Sequence, residues 1–138
     1  MALHLLKLCV GVSEVSELQD WQQRRLRENS RIFHVTRMIP RRRDEVLDGG
    51  SLYWVIRAKI TVRQQIIDIE PFTDVDGINR CRLVFDPELV LVKPVPKRAF
   101  QGWRYLKAED APADLGRQEG DADLPVEMRL ELAELGLL

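Results

Sequence analysis

Two groups of residues in this chain have types and spacings that could do chemistry. In the first, His34 and Thr36 share one face of an expected strand, Arg37 follows, and Arg41, Arg42 and Arg43 come soon after. An imidazole, a hydroxyl and several guanidinium groups near one strand end could hold a phosphate or the edge of a base. The second is the stretch KRAFQGWRYLK, Lys97 to Lys107, where Phe100, Trp103 and Tyr105 interleave with Arg98, Gln101 and Arg104. Aromatic faces and guanidinium planes in such a mixture have the composition of a stacking platform for bases. Each group also has a plainer reading. The histidine strand can be half exposed with an ordinary hydrogen bond, the arginines can form a solvated helix face, and the aromatics can seal the open end of a core.

Other chemistries find less support. Only His4 and His34 are available as imidazole ligands, and neither has a partner at metal-ligand spacing, so no metal and no cofactor is expected. Gly49-Gly50 lacks the further glycines and the Lys-Ser/Thr of a phosphate-binding loop. No G-x-S-x-G elbow is present, and neither Cys9 nor Cys81 has neighbours that would activate a thiolate. Asp74 with Asp76, and Asp68 with Glu70, are explained by turn and strand-edge roles, so the expectation leans away from an enzyme.

The charge is unevenly placed. Residues 1–107 carry 19 Lys and Arg against 13 Asp and Glu, a net of +6, whereas residues 108–138 carry 2 against 9, a net of −7. A basic body with an acidic appendage suggests an anionic ligand for the body, and an appendage near the basic face. The segment MALHLLKLCVGVSE is broken by Lys7 and followed by Glu14 and Glu17, and no apolar run is long enough to span a bilayer. No membrane partner is expected. Two cysteines inside apolar stretches fit reduced thiols, and the chain is read as cytoplasmic.

The elements that must position these residues follow from periodicity. Leu3 to Val10 reads as a buried strand closed by Gly11, and a helix begins near Ser13 as N-cap and ends near Asn29. A strand over Ile32 to Met38 precedes a short helix from Pro40 to Leu47, ended by Gly49-Gly50. From Ser51, Leu52, Trp54 and Ile56 face one way, and Tyr53, Val55 and Arg57 the other. No turn pair separates this strand from the next, Thr61 to Ile69, so a bend or bulge near Ala58 is expected. Asp74 to Gly77 marks a hairpin into Cys81–Phe85, and Leu89 to Val92 reads as a buried strand stopped by Pro94 and Pro96. The expected fold is α+β: about six strands in a small, mostly antiparallel curved sheet or partly closed barrel with flanking helices. The body spans 1–107, an acidic linker 108–123, and a C-terminal helix 124–138 packs on the body or on a partner.

Several segments in order, MALHLLKLCVGV, FHVTRMIPRR, LDGGSLYWVI, CRLVFDPELVLV, FQGWRYLK and EMRLELAELGLL, resemble a family of short alphaproteobacterial proteins known only as a domain of unknown function. That resemblance implies a bacterial cytosolic protein with a housekeeping or accessory role. The block from Pro40 to Ile69 is similar to PUA-like barrels, including the ASC-1-homology group, which implies binding of RNA or modified bases. A nucleic-acid-binding accessory module, most naturally for RNA, is one expectation. A protein-interaction or structural module using 124–138 against a partner or second copy is another, and a small enzyme on a phosphorylated or nucleotide-like substrate, using His34 and Arg37, is the third.

Overall fold

Fifteen residues from Lys59 to Thr73, rich in Ile and Thr, form one long strand, and three of the other strands pair along its two edges. The computed structural model describes residues 2–115 and 126–134. In chain order the elements are β1 (Leu3–Leu8), α1 (Val15–Asn29), β2 (Ile32–Thr36), α2 (Arg43–Leu47), β3 (Ser51–Ile56), β4 (Lys59–Thr73), β5 (Asn79–Phe85), β6 (Val90–Pro96), β7 (Trp103–Lys107) and α3 (Val126–Glu134). The sheet runs β2-β5-β4-β3-β1-β7, with β6 also paired to β4. All pairs are antiparallel except β1 with β3. It is a seven-stranded open sheet, one strand more than the periodicity predicts, in an α+β fold.

The β3–β4 connection differs from the expected bend. Ile56 pairs with Lys59, and Arg57 and Ala58 both take positive φ, 53° and 62°, as in a two-residue hairpin turn. The usual glycine or asparagine is missing there, so the sequence hides the turn. Pro94 and Pro96 likewise do not stop β6. Register shifts between Ile60 and Val62 accommodate the strand, and Lys97 still donates its N–H to the Ala58 carbonyl at 2.8 Å.

The helix ends also differ in detail. Ser13 does not cap the α1 backbone but donates its hydroxyl to Glu17 at 3.0 Å. Instead, the Glu127 carboxylate of α3 accepts the Ser16 N–H at 3.1 Å, in the first turn where the helix dipole favours an anion. Asn29 is the last helical residue, and Ser30 adopts the left-handed cap at φ 63°. Gly50, after α2, is held where a Cβ would collide with the carbonyl oxygens of Leu3 and Val46, so any side chain would push α2 off β1.

Alternation divides the sheet into two buried faces. Leu5, Leu52, Trp54, Val62, Ile66, Leu83 and Phe85 meet Val15, Leu18, Val46 and Leu130 under the helices. Leu6, Tyr53, Val55, Ile60, Val92 and Leu106 form a smaller cluster on the other side, flanked by Phe100 and Ala111. The chain reaches that second cluster's rim after β7. A 3₁₀ turn at Ala108–Asp110 leads to a stretch whose Ala113 carbonyl and Leu115 N–H bond to Lys93 and Leu91 of β6, each at 2.9 Å. Arg63 and Asp114 form a two-bonded ion pair there, both contacts at 2.7 Å. Part of the expected acidic linker is thus laid along the edge of β6, while 116–123 lie outside the described residues. No helix among the described residues is long and apolar enough to cross a membrane.

Candidate functional site

A cleft of about 750 Å³ opens between α1, the loop that follows β1, and β2. Its origin is local. Strand β1 ends at Leu8, Gly11 turns the chain at φ 80°, and α1 crosses back over the sheet with Val15, Leu18 and Gln22 buried beneath it. That placement leaves Trp21, Arg24 and Arg25 along one wall, with Phe33, His34 and Val35 of β2 along the other. Lys7 and Trp54 lie on the sheet between them. Glu17 and Asp20 also line it.

The floor is fixed by a buried polar network. Gln64, fully buried, and Gln22 exchange two amide hydrogen bonds, at 2.8 and 2.7 Å. Gln64 Oε1 also accepts the Trp54 indole N–H at 3.3 Å, and Gln64 Nε2 donates to the Asp86 carbonyl at 3.0 Å. Every polar atom of the two amides that could be stranded under α1 is therefore given a partner where it matters most, at Gln64. The Trp54 ring is locked against Phe85 on one edge, with centroids 5.9 Å apart, and meets His34 at 5.6 Å in a perpendicular arrangement.

Lys7 is the unusual member. Cross-strand register sets it beside Trp54 of β3 and Trp103 of β7, so a half-buried lysine shares a sheet face with two tryptophans. Among the described residues no carboxylate pairs with it, and none pairs with Arg24. Burial, the larger cause, lowers the Lys7 pKa, and the nearby Cys9 opposes this. Burial, helped by the Lys7 charge, lowers His34 to about 4, so its imidazole is neutral at physiological pH and can both donate and accept. Burial raises the Cys9 thiol to about 11, which keeps it protonated and a poor nucleophile. Arg25 lies over the Trp21 ring at 4.9 Å, a cation–π contact that leaves the guanidinium facing the cleft wall.

The residues singled out in the sequence fall in three places. His34 lines the cleft. Thr36, on the same strand face, is buried and structural: its hydroxyl donates to the Met38 carbonyl at 3.0 Å and lies 3.2 Å from Cys81 Sγ. The Met38 carbonyl also accepts the Trp103 indole N–H at 2.8 Å, which pins the segment after β2 across β7. Trp103, only 5% exposed, is core, whereas Tyr105 is 37% exposed and meets the Trp103 ring edge-on at 5.0 Å. The Tyr105 hydroxyl accepts the Arg42 N–H at 3.1 Å, and the Arg42 guanidinium lies 5.8 Å from the tyrosine ring while pairing with Glu45. Arg37 and Arg41 are exposed on the segment between.

The third place is separate. Arg104 alternates to the opposite face of β7, where it stacks over Phe100 at 4.7 Å, and Arg98 and Gln101 are exposed in the loop before β7. The eleven-residue aromatic stretch is therefore divided between two faces of the sheet. Sequence reasoning missed Lys7, Trp21, Arg24 and Arg25. A usable signal was present: a lysine inside LHLLKLCV on a core-facing position, and Trp21 and Arg25 at i,i+4 on one helix face.

The chain matches the family model described as "Protein of unknown function (DUF1489)" over residues 5–138, and it belongs to that family. No curated protein matches it, and no solved structure does.

Proposed function

We propose that this member of the DUF1489 family is a binding module for RNA, with the cleft beside α1 receiving one nucleotide. The observation that carries the reading is Lys7: a half-buried lysine paired in register with Trp54 and Trp103, lining the cleft and without a carboxylate partner among the described residues. Removing an ammonium from water without a counter-ion is unfavourable, and an anionic ligand relieves that cost. Trp21 with Arg25 over its ring gives the cleft an aromatic and guanidinium wall of the kind that bases stack on, and Arg24 suits a phosphate. The neutral His34 can read a base edge. A cleft of this volume falls within the range of small-ligand sites. The basic balance of residues 1–107 points to the same ligand class.

The test is titration with AMP followed by tryptophan fluorescence, and with a labelled single-stranded RNA of about ten nucleotides followed by anisotropy at low salt. Binding of both is expected, with Lys7→Ala weakening each by at least about 10-fold, roughly 1.4 kcal/mol. RNA affinity no better than about 10⁻⁴ M in low salt, unchanged by Lys7→Ala, would overturn the reading.

A further inference from the structure

The geometry points to a second base-stacking position at Tyr105 and Arg42, reached from the cleft across Arg37 and Arg41, so that the protein holds consecutive nucleotides of a single strand. This rests on the cleft receiving the first nucleotide. Lys7 pairs directly with Trp103 across the β1–β7 ladder, and Tyr105 is the next residue of β7 on the same face. Diagonal neighbours of this kind have Cα atoms about 7–8 Å apart, so the second position lies within reach of the next units of an extended strand.

The covering segment runs between the two. It is fixed at one end by the Trp103 indole on the Met38 carbonyl, at 2.8 Å, and at the other by the Arg42 N–H on the Tyr105 hydroxyl, at 3.1 Å. Arg37, just before the first anchor, and Arg41, just before the second, are both exposed, and neither has an ion-pair partner among the described residues. Two unpaired guanidinium groups on a ridge between an aromatic-walled cleft and a half-exposed tyrosine are placed as phosphate contacts between two bases. Tyr105 is held by its hydroxyl, by the Trp103 ring and by Arg42 over its ring, and its exposed part is a preformed surface with little conformational freedom to lose. Arg42 is already neutralised by Glu45, so it orients the ring while Arg37 and Arg41 supply the free charge.

A length series distinguishes this from the cleft reading: AMP, a dinucleotide, and single-stranded RNA of about ten nucleotides, each against wild type, Tyr105→Ala and the surface variant Arg37→Glu/Arg41→Glu. The expected result is that both variants leave AMP affinity unchanged and weaken the longer RNA by about 10-fold or more. The surface variant touches no packed side chain, so it remains informative if Tyr105→Ala proves unstable. AMP binding with RNA no tighter than AMP, or RNA binding unaffected by the surface variant, removes the second position and leaves the cleft reading standing. Failure of both AMP and RNA removes the cleft reading, and with it this one. Poly-glutamate binding as tightly as RNA and equally insensitive to Tyr105→Ala would show a polyanion surface without base stacking, which also overturns the second position.

Discussion

Residues of β3 alternate between two differently built interiors. Leu52, Trp54 and Ile56 enter the face covered by α1, α2 and α3, whereas Tyr53 and Val55 enter the face bordered by Phe100 and the stretch after β7. The first holds a buried amide pair and a cleft with an unpaired lysine. The second is small and apolar, with its charges, Arg63 and Asp114, paired at the rim. Separate helices laid over a sheet leave gaps where they diverge, and those gaps must be lined with satisfied polar groups or left for a ligand. A sheet that curls over itself leaves few. The chemistry of this molecule therefore gathers on one face, for reasons of packing.

The sharpest way to break that comparison is to remove polar satisfaction from the helix-covered face. Gln64→Leu strands the Gln22 amide, the Trp54 indole N–H and the Asp86 carbonyl, and is expected to cost about 4 kcal/mol in urea unfolding. Adding Gln22→Leu replaces both members of the pair and should recover at least about half of that loss. On the other face, Val92→Ala is expected to cost about 2 kcal/mol through a cavity alone, with no partner whose removal rescues it. Additive losses for Gln22 and Gln64 would mean that the amide pair is no unit and that the faces differ only in size.

Protonation offers a second contrast. His34 has a folded pKa of about 4 against an ordinary 6.5, so the unfolded chain takes up the proton first. The stability that neutral His34 contributes is fully present above pH 6.5 and is lost as pH falls from 6.5 through 4. With discount for its partial exposure, that loss is on the order of 2 kcal/mol, and His34→Gln should remove it from the pH profile of Tm. His4, on the curled face, is also lowered by burial, with Arg63 adding to it, and Ser51 N–H donates to its Nδ1 at 3.0 Å. It adds to the acid sensitivity the His34 variant retains, together with carboxylates held low by arginines, such as Asp114 beside Arg63 and Asp74 beside Arg80. A His34→Gln profile indistinguishable from wild type would place the imidazole outside the buried wall.

What the sequence allowed to be read follows the same division. The β3 alternation, the Asp74–Gly77 hairpin and the first helix were legible, because apolar period and turn chemistry report local geometry directly. The Arg57-Ala58 turn was not, since its residues avoid the usual turn types and the sheet's pairing imposes the conformation. The site was half legible. His34 is legible through its polar neighbours, but for Trp103 the sequence leaves a stacking platform and a core seal both open, because composition does not say which face of β7 is covered by the segment after β2. Lys7 was overlooked because a lone charge in an apolar strand looks like an interruption until the register sets it between two tryptophans.

The rim of the curled face gives a smaller effect. Asp114 is held below the ordinary carboxylate range mainly by its hydrogen bonds to Arg63, and the pair fastens residues 113–115 to β6. Asp114→Asn is expected to cost about 1 kcal/mol at low salt, less in 1 M salt, and to speed amide exchange at Lys93 and Leu115 while leaving α1 unchanged. Equal acceleration in α1 would mean that the two faces open together.

The smallest effect tests that same cooperativity from the hairpin the faces share. Arg57 and Ala58 carry φ of 53° and 62°, and a side chain in that region costs roughly 1–2 kcal/mol that glycine avoids. Glycine restores about 0.5–1 kcal/mol of chain entropy to the unfolded state, so Ala58→Gly should stabilise the protein by about 0.5 kcal/mol. The turn joins β3 to β4, and both strands send alternate residues to each interior. If the interiors unfold as one unit, hydrogen exchange in α1 and in β7 must slow by the same factor, a little over 2-fold for that gain. Slowing confined to one side would show that the helix-covered face and the curled face open separately, and that the cleft can loosen while the rest of the sheet stays folded.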